Sequence, residues 1–187
     1  MNNDIQKSIE VLRAGGLILY PTDTIWGIGC DATNVEAVDK IFKLKGRSNE
    51  KPLIVLIDND SKLASYVSEI PEVAYELIEY ADKPLTIVYD GAKNLASNLI
   101  AEDGTIGIRV TSHPFCNQLL QRFRKPIVST SANLSGLSSP KSFYEISQEI
   151  IDGVDYIVNY GQDDINEYKA STIMKIGPSG EFRLIRK

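Results

Sequence analysis

Histidine occurs once in this sequence, at His113, and cysteine only twice, at Cys30 and Cys116. The lone imidazole excludes a multi-histidine metal site, and a Ser-His-Asp triad would have to be built on it. It precedes Pro114 at a predicted helix start, where a structural or ligand-edge role is expected ahead of a general base. The two cysteines lie far apart without metal-ligand spacing and read as buried small hydrophobes, a disulfide between them being the alternative. No apolar run approaches the roughly 20 residues of a membrane span. The N-terminal stretch MNNDIQKSIEVLRAGG lacks the basic start and apolar centre of a secretory signal, so a cytoplasmic protein with no membrane contact is expected. Positive charge is not in excess either: 20 Lys and Arg against 25 Asp and Glu give a net charge of −5. That balance argues against wholesale electrostatic binding of nucleic acid, while a local basic groove stays open. There is no Walker A sequence, and GIGCDA matches the dinucleotide fingerprint only in part, so the two familiar nucleotide-binding loops are unsupported.

What is present is an ordinary globular composition, 43% hydrophobic and 24% charged over 187 residues. Domains cluster near roughly 100 to 150 residues and α/β units run larger, so a single domain, 1–187, is expected. Ile5, Ile9 and Leu12 recur at helical spacing and stop at Gly15-Gly16. The strand LILYP follows. Thr33 and Glu36 have capping-box spacing ahead of a helix over about Asn34 to Leu44. Then come the strand PLIVLI, a helix near Lys62 to Val67, a helix opened by Pro71, the strands LTIVYD and TIGIRV, and the helix PFCNQLLQRF. PIVST is a strand; Ser142 and Glu145 repeat the capping-box spacing; VDYIVN, STIMKI and FRLIRK are strands, the last two joined by the turn GPSG. Strands alternating with helices and closing on a hairpin predict an α/β fold with a twisted mixed parallel/antiparallel sheet.

Polar clusters stand at the predicted strand ends. Tyr20 to Gly27, YPTDTIWG, leaves the first strand with two threonines and an aspartate. Lys45 and Arg47 follow a helix, with Lys51 close behind. Arg109 ends a strand, Ser129-Thr130-Ser131-Ala132-Asn133 ends another, Ala170-Ser171-Thr172 opens the next, and Arg186 lies in the last. Ligands of open α/β sheets gather outside strand ends, and cations among hydroxyls suit an anionic, multi-oxygen ligand. Each piece alone has a plainer explanation. Lys45-Gly46-Arg47 is also a solvated helix end that complements the dipole, Pro21 to Thr24 is also a turn, and single arginines are commonly surface ion pairs. The combination points to a phosphate-bearing ligand.

YPTDTIWGIG, KLKGRSNEKPL, GIRVTSHP, PIVSTSANLSG, ASTIMKI and FRLIR together resemble, in order and spacing, the YrdC/TsaC-type threonylcarbamoyl-AMP synthases. The likeness spans about Leu17 to Arg186, and the pairing of Lys-x-Arg with a later Ser-x-Asn is the family's signature. It implies a YrdC-like domain in its short form, without the extra C-terminal domain of longer homologues. The implied enzyme is a nucleotidyltransferase taking ATP with Mg2+, L-threonine and bicarbonate, and no organic cofactor. Its product feeds the threonylcarbamoyladenosine modification of tRNA through partner transfer proteins. The resemblance assigns Lys45, Arg47, Ser131 and Asn133 to the catalytic phosphate and Mg2+ region, and Lys51, Ser139 and Arg186 to further nucleotide contacts. Thr24, Arg109, Ser129 and Ser171 fall where threonine is held, Arg109 against its carboxylate.

Along that strand end, alternation is expected to turn Ser129 toward threonine and Ser131 toward nucleotide. Trp26 replaces the usual tyrosine and is expected to keep an aromatic wall. Leu56 stands where longer members carry a histidine. Both nucleophiles belong to substrates, so no reactive Ser, Cys or His is required; alignment and charge neutralisation are. The alternative is a module that binds double-stranded RNA or tRNA through the same cations without nucleotidyl transfer. A carbamoyl-transfer module of hydrogenase maturation is a third possibility, which a free chain of this length counts against.

Overall fold

Ile5, Ile9 and Leu12 bury the inner stripe of helix α1 (Asn2–Arg13), and Gly15, at a φ of 73°, turns the chain toward strand β1 (Ile18–Tyr20). That left-handed conformation is one that glycine adopts without a side-chain penalty. The computed structural model describes residues 1–46, 53–164 and 170–187. After β1 come β2 (Gly27–Gly29), α2 (Val35–Leu44), β3 (Ile54–Ile57), α3 (Leu63–Tyr66) and α4 (Glu72–Glu79). The chain continues through β4 (Leu85–Tyr89), β5 (Ile106–Val110), α5 (Pro114–Phe123), β6 (Ile127–Ser131), α6 (Gln148–Asp152), β7 (Tyr156–Ile157), β8 (Thr172–Ile176) and β9 (Phe182–Arg186).

The strands form one sheet in the order β7-β1-β2-β6-β3-β5-β4-β8-β9. Pairs β1/β7, β3/β5 and β4/β8 are parallel and the other five antiparallel, the mixed α/β sheet expected. Alternation divides its side chains between two apolar cores. Leu19, Ile28, Val55, Ile57, Ile108 and Val128 join Val38 and Ile41 of α2 on one face. Ile18, Tyr20, Leu56 and Ile127 face the other, under α1 and α5, where Phe115 and Leu119 are wholly buried. Burying one such side chain is worth about 1.5–3 kcal/mol. Cys30 and Cys116 are free and sit in opposite cores, which rules out the disulfide alternative.

Local details depart from expectation. The cap of α2 is Asn34, whose side chain accepts from the Ala37 N–H, while Thr33 bonds the Asp31 carboxylate through both backbone and hydroxyl. An asparagine one residue nearer the helix displaces the Thr33–Glu36 box. Ser142 precedes only a 3-10 turn and makes no side-chain cap, and Glu145 accepts instead from the Lys141 N–H. The helix expected near Lys62 to Val67 is present as α3, with a 3-10 turn, Asp60–Lys62, added ahead of it. Strand β2 is not among the expected strands, because three residues with glycine at both ends are too short for a pattern of their own.

One rung of the sheet positions everything that follows. Leu56, Arg109, Thr86, Ile173 and Arg186 are successive neighbours across β3, β5, β4, β8 and β9. At Leu56 the rung belongs to the α1/α5 core; beyond it stand Arg109, Thr86 and Arg186, with Ile173 between the last two.

Candidate active site

Arg109, Ile173 and Arg186 of that rung line a cleft of about 220 Å3. Thr24, Arg109, Ser129 and Ser171 line it, as do Ser131, Ser139 and Arg186 from the nucleotide set. Segments separated by up to most of the chain thus converge as the sequence pattern implied. Arg47 and Lys51 lie outside the described residues. A larger hollow of about 450 Å3, beside α4, contains none of these side chains.

Ser129 and Ser131 share one cleft and one face, correcting the expectation of opposite facings: residues two apart on a strand point the same way. Gly27 of β2 pairs with Ser131, and a Cβ there would lie 3.3 Å from Ser129 Oγ. Its missing side chain leaves room for the serine hydroxyl at the cleft wall. Trp26 does not form a wall of the cleft; it is buried in the α2-side core, its ring 5.0 Å from Phe143.

Arg109 is 2% exposed, and its Nη2 lies 3.0 Å from Asp23 Oδ1. The contact is an ion pair without a well-directed hydrogen bond, and neither Nε nor Nη2 has a hydrogen-bond partner among the described residues. A buried guanidinium with free donors is costly unless an acceptor arrives to meet them. Asp23, missed among the candidate residues although it lies within YPTDT, supplies the counter-charge. Thr22, also missed, accepts a hydrogen bond from the Thr24 N–H at 3.1 Å and donates to the Ile25 carbonyl at 2.7 Å. Its single proton is thereby used, so in the 2.9 Å contact between the two hydroxyls Thr24 is the donor. Thr24 Oγ1 is left with lone pairs, suited to receive N–H groups.

Lys45 and Asn133 stand behind the cleft lining. Lys45 is buried, and its Nζ donates to the carbonyls of Ser131 and, at 2.6 Å, Asn133, while its own carbonyl accepts from the Ser135 N–H. Asn133 Nδ2 donates to the carbonyls of Leu134 and Leu137, closing the turn after β6, and its Oδ1 is buried without a partner among the described residues. Lys45 therefore braces the loop that presents Ser131.

Arg186 reaches from the edge strand to Ser171, donating to its carbonyl from Nε at 3.2 Å and Nη2 at 2.9 Å. Burial first, and then repulsion from Arg109, lower its pKa. Two guanidinium groups thus face one cleft with no carboxylate in its lining among the described residues, an arrangement that attracts an anionic ligand. Among the described residues no group of three or more His, Cys, Asp or Glu could hold a metal ion.

The family model described as Telomere recombination, Sua5/YciO/YrdC, matches residues 10–187. The chain belongs to this family. It is 38% identical over 158 residues to the threonylcarbamoyl-AMP synthase of Pseudoalteromonas translucida, covering 83% of this chain and 84% of that protein. The crystal structure of P. abyssi Sua5 complexed with L-threonine superposes with a TM-score of 0.86 at 27% identity. It covers 97% of this chain, which spans 53% of the Sua5 chain. E. coli YciO shares the fold, with a TM-score of 0.83 at 24% identity over 100% of this chain and 90% of that one.

Proposed function

We infer that this family member is an L-threonylcarbamoyladenylate synthase, joining L-threonine, bicarbonate and ATP into threonylcarbamoyl-AMP with release of pyrophosphate. The observation that carries this is Arg109: a buried guanidinium with unmet donors, lining a cleft of hydroxyls, suits a carboxylate. The naming of the Pseudoalteromonas relative and the threonine in P. abyssi Sua5 support the same substrate. Beside that carboxylate, the acceptor-only Thr24 Oγ1 suits the amino group, whose nitrogen forms the carbamate with bicarbonate-derived CO2. The carbamate oxygen then attacks the α-phosphorus, and pyrophosphate leaves. Arg186 and the Ser131 loop neutralise and align the phosphates, with Arg47, Lys51 and Ser139 as further nucleotide contacts.

The donor set suits Mg2+ carried in by ATP rather than a resident ion: the Ser131 hydroxyl and the unpartnered Asn133 Oδ1 are hard oxygens, and Mg2+ retains water and phosphate ligands. The ion would offset triphosphate charge. The product would pass to partner proteins that transfer the threonylcarbamoyl group to tRNA, in the cytoplasm; no helix among the described residues is long and apolar enough to cross a membrane.

The test is pyrophosphate release by the purified protein with each substrate omitted in turn. Release should require threonine, bicarbonate and ATP together. Arg109→Ala should lower kcat/KM for threonine about 10- to 100-fold, the value of a charge-assisted hydrogen bond. Release indifferent to threonine, or absent under every condition, overturns the assignment.

A further inference from the structure

Thr86 is wholly buried in a strand otherwise made of Leu85, Ile87, Val88 and Tyr89. A buried hydroxyl where valine would fit without desolvation cost calls for a partner. Its partner is Ser171: the two Oγ atoms are 2.8 Å apart. Ser171 in turn holds Arg186 through its carbonyl, and its Oγ lies 3.4 Å from Arg186 Nη2. Arginine only donates, so Ser171 Oγ is an acceptor there and relies on Thr86 for its remaining orientation. On the other side, Thr86 is the cross-strand neighbour of Arg109.

The setting makes this tie important. Every residue of β9 is exposed, and the strand is an edge of the sheet, paired among the described residues with β8 alone. Elements with so little burial are the first to open, so side-chain ties decide where Arg186 stands. Ser171 precedes β8, at the root of that hairpin.

We propose that Thr86 is a positioning residue: its hydroxyl fixes Ser171, and with it Arg186 and the β8–β9 hairpin, in register with the strand that carries Arg109. The two halves of the cleft, one for the amino acid and one for the nucleotide, are thereby held at a set spacing. This rests on the assignment of the cleft to threonine and ATP.

Thr86→Val keeps the shape and removes the hydroxyl; Thr86→Ser keeps the hydroxyl. In pyrophosphate-release kinetics, Thr86→Val should raise KM for both ATP and threonine about tenfold, the value of one hydrogen bond. Its unfolding midpoint should stay near wild type, and Thr86→Ser should recover both KM values to within about twofold. A purely structural threonine would lower the midpoint and leave the KM values alone. Unchanged KM values in Thr86→Val, or equal impairment in Thr86→Ser, overturn the proposal. Should the wild-type protein release no pyrophosphate, the functional assignment fails instead. Amide hydrogen exchange in β9 then decides the tie: faster exchange in Thr86→Val that Thr86→Ser restores supports it, and exchange unchanged in Thr86→Val overturns it.

Discussion

His113 precedes α5, its ring edge-on to Tyr160 at 6.3 Å and its Nδ1 buried without a partner. Burial lowers its pKa from 6.5, against the opposing pull of Asp23 and Asp164. The imidazole is therefore neutral in the fold at pH 7. A folded pKa below the unfolded one contributes stability that is present above about pH 6.5 and lost as pH falls through the folded value. Because the chain has one histidine, its ring gives a single NMR titration. The midpoint should fall below 6.5, and His113→Gln should flatten stability over that window; a midpoint above 6.5 contradicts this. The same local reasoning separates roles within Thr22-Asp23-Thr24. One side chain spends its proton on a carbonyl, one balances Arg109, and one is left to accept.

At the scale of elements, Lys45 is a brace. It ends α2 and ties that helix to the loop leaving β6, through two carbonyls on one side and the Ser135 N–H on the other. Lys45→Met fills similar volume but takes the ammonium donor from two part-buried carbonyls, of which Ser131 keeps the Asn133 N–H. It should destabilise the protein by about 2–3 kcal/mol in urea unfolding, in keeping with a lost charged, buried hydrogen-bond donor. Nucleotide affinity should fall with it, since Ser131 loses its support. A variant that binds nucleotide normally would show that the loop holds its shape without the brace. Lysine at this position thus shapes the loop that carries Ser131.

For the whole molecule, the decisive feature is that two helices cover only part of one sheet face. Past Leu56 the rung brings in Arg109, Thr86 and, beyond Ile173, Arg186, so the open part of the face holds the cationic cleft. Ligands that occupy it should stabilise the native state by mass action, about 2.7 kcal/mol at 100 times Kd. Threonine and a non-hydrolysable ATP analogue should each raise the unfolding midpoint. Arg109→Ala should abolish the threonine shift and Arg186→Ala the nucleotide shift; loss of both in either variant would show that the halves are not separate.

Element types were largely written in the chain. Ile5, Ile9 and Leu12 marked α1, and the aliphatic runs around Val55, Ile87, Ile108 and Val128 marked strands, because buried faces impose their periods locally. β2 was not legible, since Gly-Ile-Gly has no pattern of its own and is a strand only through pairing with β1 and β6. Motifs grouped Thr24, Arg109, Ser129, Ser131, Ser139, Ser171 and Arg186, and these meet in one cleft. The sequence by itself determined which residue types the chemistry would use, because charge and hydrogen-bonding capacity belong to the side chain. Only the tertiary structure decided their division of labour. Lys45 became a brace, Trp26 a core residue, Asp23 a counter-ion and Thr86 the partner of Ser171, because burial and partners come from segments far apart in the chain.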